Sequence, residues 1–146
     1  MTIQIDVKRT GFPVKIGEIE LWFDSSIERL AKVFEIRDKV REKEIEIGGK
    51  LKRYENLTEE TITYEDSKQI LEYKKEFVAM FYDGFFGEGA FEKIYSKYPD
   101  MTQLEDLIPI LDQAIADKIN EQEKERKALV EKKKNEYLNK KKQKQK

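Results

Sequence analysis

Apolar residues alternate from the first positions of the chain. Ile3, Ile5 and Val7 fall on one side of an extended backbone, with Thr2, Gln4 and Asp6 on the other. Period-two alternation of this kind marks a half-buried strand. Thr10-Gly11-Phe12-Pro13 interrupts it, and Val14-Lys15-Ile16 resumes it. Gly17-Glu18 reads as a turn or bulge, after which Ile19, Leu21 and Phe23 alternate with Glu18, Glu20 and Trp22. The pattern predicts a small antiparallel meander over residues 2–23. Two or three strands do not hold together alone in water, so a helix must cover their apolar face.

The period then lengthens to that of a helix. Asp24-Ser25-Ser26 opens the first one, Ser25 and Glu28 having capping-box spacing. Ile27, Leu30, Val33, Phe34 and Val40 form its stripe, and Gly48-Gly49 ends or breaks it. Residues 50–62 fit either a short helix or a loop. A second helix runs from about Tyr64 to Tyr82, with Ile70, Tyr73, Phe77 and Phe81 on one face, and stops at Asp83-Gly84. Phe85-Phe86-Gly87-Glu88-Gly89 makes a tight connection to a short helix, Ala90 to Lys97, which Pro99-Asp100 closes. Thr102 and Glu105 form a second capping box, opening a helix striped by Leu104, Leu107, Ile108, Leu111, Ile115 and Ile119. Pro109 either kinks this helix or sits in the first turn of one that starts later. Beyond Ile119 only Leu129, Val130, Tyr137 and Leu138 are large and apolar. That stretch favours helix by propensity yet has little to pack against, so it frays as a helix or remains disordered. No internal repeat is evident. The expected fold class is α+β and predominantly α-helical: an N-terminal antiparallel hairpin or meander on about four helices. Residues 1–119 form one globular domain and residues 120–146 a charged, Lys-rich helical or disordered tail.

Composition narrows the chemistry. Of 146 residues 40% are charged and 38% hydrophobic, with neither His nor Cys. Disulfides, thiolate nucleophiles and cysteine zinc sites are closed, as are imidazole metal ligands and acid–base groups. No apolar run approaches a membrane span, and the opening residues do not read as a signal peptide, which points to a chain used in the cytoplasm. The formal charge of −1 hides an asymmetry. Residues 120–146 carry eleven bases and five acids, a net +6, so residues 1–119 carry −7. The body repels polyanions, and contact with nucleic acid would have to run through the tail.

The remaining constellations favour binding over catalysis. Glu18/Glu20, Glu42/Glu44/Glu46, Glu59/Glu60 and Glu65/Asp66 are paired carboxylates, but their spacing indicates no cleft, and they read as solvated faces. The Gly87-Glu88-Gly89 segment lacks the Lys-Ser/Thr pair of a phosphate loop and does not follow a strand. The aromatics from Tyr73 to Tyr98 stand at helical spacing and read as core rather than as a base-stacking platform. Trp22 lies on the polar side of its strand, either covered by a neighbouring element or exposed as a partner anchor. No catalytic residue, cofactor site or metal site is expected. Trp22, Phe85 and Phe86 are the candidate partner-binding residues.

The segment Phe12-Pro13-Val14-Lys15-Ile16-Gly17-Glu18-Ile19-Glu20-Leu21-Trp22-Phe23-Asp24-Ser25-Ser26 resembles the opening of tail assembly chaperones from long-tailed, siphovirus-type phages and prophages of Gram-positive bacteria. The shared pattern is a strand, a glycine, a strand ending in Trp-Phe-Asp and a Ser-capped helix, and it covers about the first 35 residues; the rest agrees in character. The resemblance implies a non-enzymatic protein that binds the tape measure protein, keeps it soluble and helps tail tube subunits assemble around it. It further implies self-association, residence in the host cytoplasm and absence from the finished virion. A longer form made by programmed frameshifting, engaging the tail tube protein, would fit the Lys-rich end, whose codons are adenine-rich. Two rival readings stand beside it: a nucleic-acid-associated accessory protein acting through the basic tail, and a small virion structural protein such as a connector or completion factor.

Overall fold

The computed structural model describes residues 1–144. Two strands, β1 (Phe12–Ile16) and β2 (Ile19–Phe23), precede four helices: α1 (Ile27–Leu51), α2 (Tyr64–Phe86), α3 (Ala90–Lys97) and α4 (Met101–Lys144). The fold is α+β and mostly helical. The chain divides into two compact units, residues 1–108 and residues from Pro109 onward; α4 therefore begins in the first and supplies the second.

The hairpin is antiparallel, with Phe12 opposite Phe23 and Ile16 opposite Ile19. Its two-residue loop has Gly17 at φ 58°, the position where such loops need a residue tolerant of positive φ. A side chain there would also collide with the Tyr98 ring, whose hydroxyl accepts from the Glu18 N–H at 2.9 Å. Conformation and space select the same residue. Phe12, Ile16, Ile19 and Phe23 are buried on one face, while Pro13, Lys15 and Glu20 are exposed on the other.

The predicted meander is reduced to this hairpin. Residues 2–8 form no strand, and Ile3, Ile5 and Val7 are 86%, 79% and 93% exposed. Alternation makes a segment competent to pair, but pairing needs an edge that offers donors. Pro13 has no N–H and so occupies a non-hydrogen-bonded pair of the ladder, its nitrogen facing outward. The outer edge of β1 is left with Lys15 as its one outward donor. Gly11, at φ 129°, then carries the chain away from the sheet, so close to β2 that a Cβ would lie 2.1 Å from the Phe23 carbonyl oxygen.

Local chemistry sets the helix starts, in two places one or two residues from the predicted caps. Ser26, not Ser25, caps α1, its hydroxyl accepting from the Arg29 N–H at 3.3 Å. The Ser26 N–H in turn donates to Asp24, holding that carboxyl below its ordinary pKa. Thr63 and Asp66 form a reciprocal capping box on α2. Asp100, rather than Thr102, caps α4 through the Gln103 N–H at 3.1 Å. The start of α3 is capped from outside: Asp83 of α2 accepts from the Phe91 N–H at 2.9 Å.

Three glycines read as helix stops are helical. Gly48 and Gly49 lie within α1, which continues to Leu51, followed by a 3-10 turn over Lys52–Tyr54. Gly84 lies within α2, which runs on to Phe86. Its role is proximity: a Cβ at Gly84 would fall 2.4 Å from Ile36 Cγ2 of α1. Arg29 of α1 donates to the Gly84 carbonyl at 2.6 Å, and Lys43 pairs with Glu76 at 3.2 Å, so α1 and α2 are joined along much of their length.

Pro109 sits inside α4, settling the two starts in favour of the earlier one. The proline removes one backbone donor from the helix without ending it. Within the second unit Arg126 makes a two-pronged pair with Glu123 (2.7 and 3.2 Å), and Lys118 pairs with Glu121 at 3.5 Å. Pairs at this spacing support a helix that buries little. The helix persists to Lys144, with Leu129, Val130, Tyr137 and Leu138 all exposed. Residues 145 and 146 of the predicted tail lie outside the described residues.

The glycine environments give opposite expectations. Gly84→Ala forces its methyl onto the stiff, β-branched Ile36 and should cost about 1–3 kcal/mol. Gly49→Ala meets no atom within 4 Å and should stabilise by about 0.5–1 kcal/mol through helix propensity. Urea unfolding of the two variants measures both signs.

Candidate partner-binding surfaces

The core of the first unit is aromatic, and it absorbs part of the predicted binding set. Phe85 is 1% exposed: its ring packs 4.3 Å from Phe81 and 6.2 Å from Phe23, centroid to centroid. It is not a surface anchor, because helical spacing turns it into the space between α2 and the hairpin. Phe86 is half-buried, meeting Phe23 edge-on at 6.4 Å. These two residues are thus gathered on the inner side of β2. Trp22 is separated from them by the strand, since neighbouring residues of a strand face opposite sides.

Trp22 is half-buried too, with the chain's own N-terminal arm lying on it. The Arg9 guanidinium lies 4.2 Å from the ring centroid, and the indole N–H donates to the Thr10 carbonyl at 3.2 Å. A cation over an indole at a partly exposed site is worth roughly 0.5–1 kcal/mol. Trp22 therefore works as a tether for residues 9 and 10. Beyond the tether, Ile3, Ile5 and Val7 project apolar side chains into solvent from a backbone with no ladder partner.

The outer edge of β2 complements that arm. Where Pro13 denies β1 a donor, the residues across from Pro13 and Lys15, Trp22 and Glu20, both turn N–H and C=O groups outward. A sheet edge and an alternating segment are the two halves of strand-addition recognition. Period-two patterning revealed the segment in the sequence, but its exposure depends on Pro13 and Gly11 together. A second apolar surface escaped the sequence reading altogether. Ile27, Phe34 and Ile45 of α1 are 84%, 53% and 72% exposed, although Ile27 and Phe34 read as members of the core stripe. The buried face of α1 is Val33, Val40 and Ile47 instead, a clean seven-residue repeat.

Titratable groups add little chemistry. The Tyr82 hydroxyl is buried and donates to the Leu104 carbonyl at 2.7 Å, and burial pushes its pKa well up. Such a hydroxyl is a structural donor. Of the carboxylates singled out in the sequence, Glu18 is exposed and paired with Lys97 of α3, and Glu46 with Lys43 and Lys50. Among the described residues no group of His, Cys, Asp or Glu is arranged to hold a metal ion, and no helix is long and apolar enough to cross a membrane. Compared with protein-family models, curated proteins and solved structures, the chain matches none.

Trp22→Ala should free the arm without disturbing the body. Trypsin cleavage after Lys8 and Arg9 should speed up several-fold, with helix content by circular dichroism unchanged; cleavage at the parental rate would show that Trp22 does not tether the arm.

Proposed function

We propose that the chain is a tail assembly chaperone of a long-tailed phage or prophage, a non-enzymatic protein that binds the tape measure protein and keeps it soluble while tail tube subunits assemble. The observation that carries this reading is the Phe12–Ser26 segment, a Gly17-turned hairpin ending in Trp22-Phe23-Asp24 and leading into a Ser-capped helix. Surface character supports it. A coating chaperone needs apolar contacts displayed on a highly charged body, so that it holds a long client without aggregating itself. The arm supplies them in Ile3, Ile5 and Val7. Trp22 serves the client by holding the arm in place, and Phe86 takes part from its half-exposed edge, whereas Phe85 supports the hairpin from within.

On this reading the protein acts in the host cytoplasm and leaves before the virion is complete. The Lys-rich end of α4 marks where a frameshifted longer form would diverge to engage tail tube protein.

Co-expression with the tape measure protein of the same phage should carry that client into the soluble fraction as a complex. A variant lacking residues 1–8 should fold normally and lose most of this effect. Mass spectrometry should find the chain in lysates and not in purified virions. A client equally insoluble with and without the chain, or a chain retained in virions, overturns the proposal.

A further inference from the structure

The exposed face of α1 has a symmetry of its own. At 100° per residue, Ile27, Phe34, Asp38, Arg41 and Ile45 lie within about 40° of one line along the helix. All are exposed, as are Ala31 and Gly48 on the same side. Between them run about 27 Å of helix, apolar toward both ends and oppositely charged in the middle. Gly48 carries a helix-propensity cost of about 1 kcal/mol relative to Ala, and nothing within its own chain comes within 4 Å of where a Cβ would stand. The chain itself therefore gives no steric reason for a glycine there.

We infer that this face is a docking surface for a second copy of the chain, with the two α1 helices antiparallel about a two-fold axis. The charges select the orientation. A parallel, in-register pair would set Asp38 against Asp38 and Arg41 against Arg41. An antiparallel pair with Asp38 opposite Arg41 of the partner satisfies both charges twice, because two-fold symmetry repeats each contact. The same register sets Phe34 opposite Ile45 and Ala31 opposite Gly48, placing large apolar residues together and small ones where the backbones come closest. Sliding one heptad, to bring Ile27 opposite Ile45, would put the Asp38 carboxylate on the Phe34 ring and leave Arg41 facing Ala31. Lys39, level with the axis, points about 120° from the face line and so away from the partner; its ammonium pairs with Glu35 of its own helix at 3.0 Å. Arg37, 5.5 Å from the Phe34 centroid, covers one face of that ring and leaves the residue half exposed.

This inference does not rest on the chaperone reading, and its test involves no client. Sedimentation equilibrium of the full chain, up to about 100 µM, should show a mass rising from 17.4 kDa toward twice that value. Asp38→Arg and Arg41→Asp should each raise the dimer Kd about tenfold or more, and the double reversal should restore it. Ile45→Lys, at an exposed position, should weaken the dimer without loss of helicity and serves as a second probe should a charge reversal disturb folding. A chain that stays monomeric throughout overturns the inference. So does a dimer indifferent to both single reversals and to Ile45→Lys, or one that the double reversal fails to recover.

Discussion

The first unit depends on Phe23 more than on any other side chain. A two-stranded hairpin is marginal in water, so β1 and β2 exist as a folded element only because something holds their apolar face. Phe23 is fully buried, with Phe12 stacked on it at 5.3 Å from across the ladder and Phe85 and Phe86 of α2 meeting it from below. One ring thereby couples hairpin pairing to helix packing. Burial of such a side chain contributes about 1.5–3 kcal/mol, before any gain from ring geometry. The other end of the hairpin is held by polar contacts, the Tyr98 hydroxyl and Lys97 meeting the Glu18 turn. With both ends anchored, the outer face keeps Pro13, Lys15 and Glu20 exposed, and the N-terminal arm lies on Trp22.

The elements most legible in the sequence are those whose stop signals are also steric. Residues 12–23 alternate and turn at a glycine with positive φ, and α3 spans Ala90 to Lys97 as its flanking residues indicate. Glycine misleads where its reason is a neighbour or is missing from the chain. Gly84 looks like a terminator locally, but it is the place where α1 comes against α2. Gly48 and Gly49 look the same, yet α1 runs through both, and no atom of their own chain comes within 4 Å of a Cβ at either. Caps slipped for a related reason. Ser25 and Ser26 both have suitable side chains, and the choice falls on whichever hydroxyl reaches a free backbone N–H once Asp24 has fixed the turn.

Site legibility follows the same division. Apolar character is written in the sequence; exposure is a property of what packs where. Phe85 and Phe86 are adjacent and chemically alike, yet α2 turns one inward and leaves the other at the margin. Phe34 sits one residue from Val33, and the seven-residue spacing of Val33, Val40 and Ile47 decides which is buried. The N-terminal alternation was plain, but its fate depended on a missing N–H at Pro13, a detail of edge chemistry that hydropathy does not register.

The arm and the α1 face belong to different elements, so occupying one leaves the other available. A two-fold dimer through α1 carries two arms, each tethered at Trp22 and open beyond it. On the proposed function, the second arm would engage a long client of many similar segments from an effective concentration of about millimolar set by the tether, rather than from bulk. Individually weak contacts would then suffice for retention, and each arm would be released without the other having to dissociate. That is the kinetic behaviour a temporary coat requires: tight as an array, loose at every point, and displaceable stepwise by subunits arriving along the client. A chain that is 40% charged suits the proposed division, in which the body would stay hydrated while a few exposed apolar residues bind.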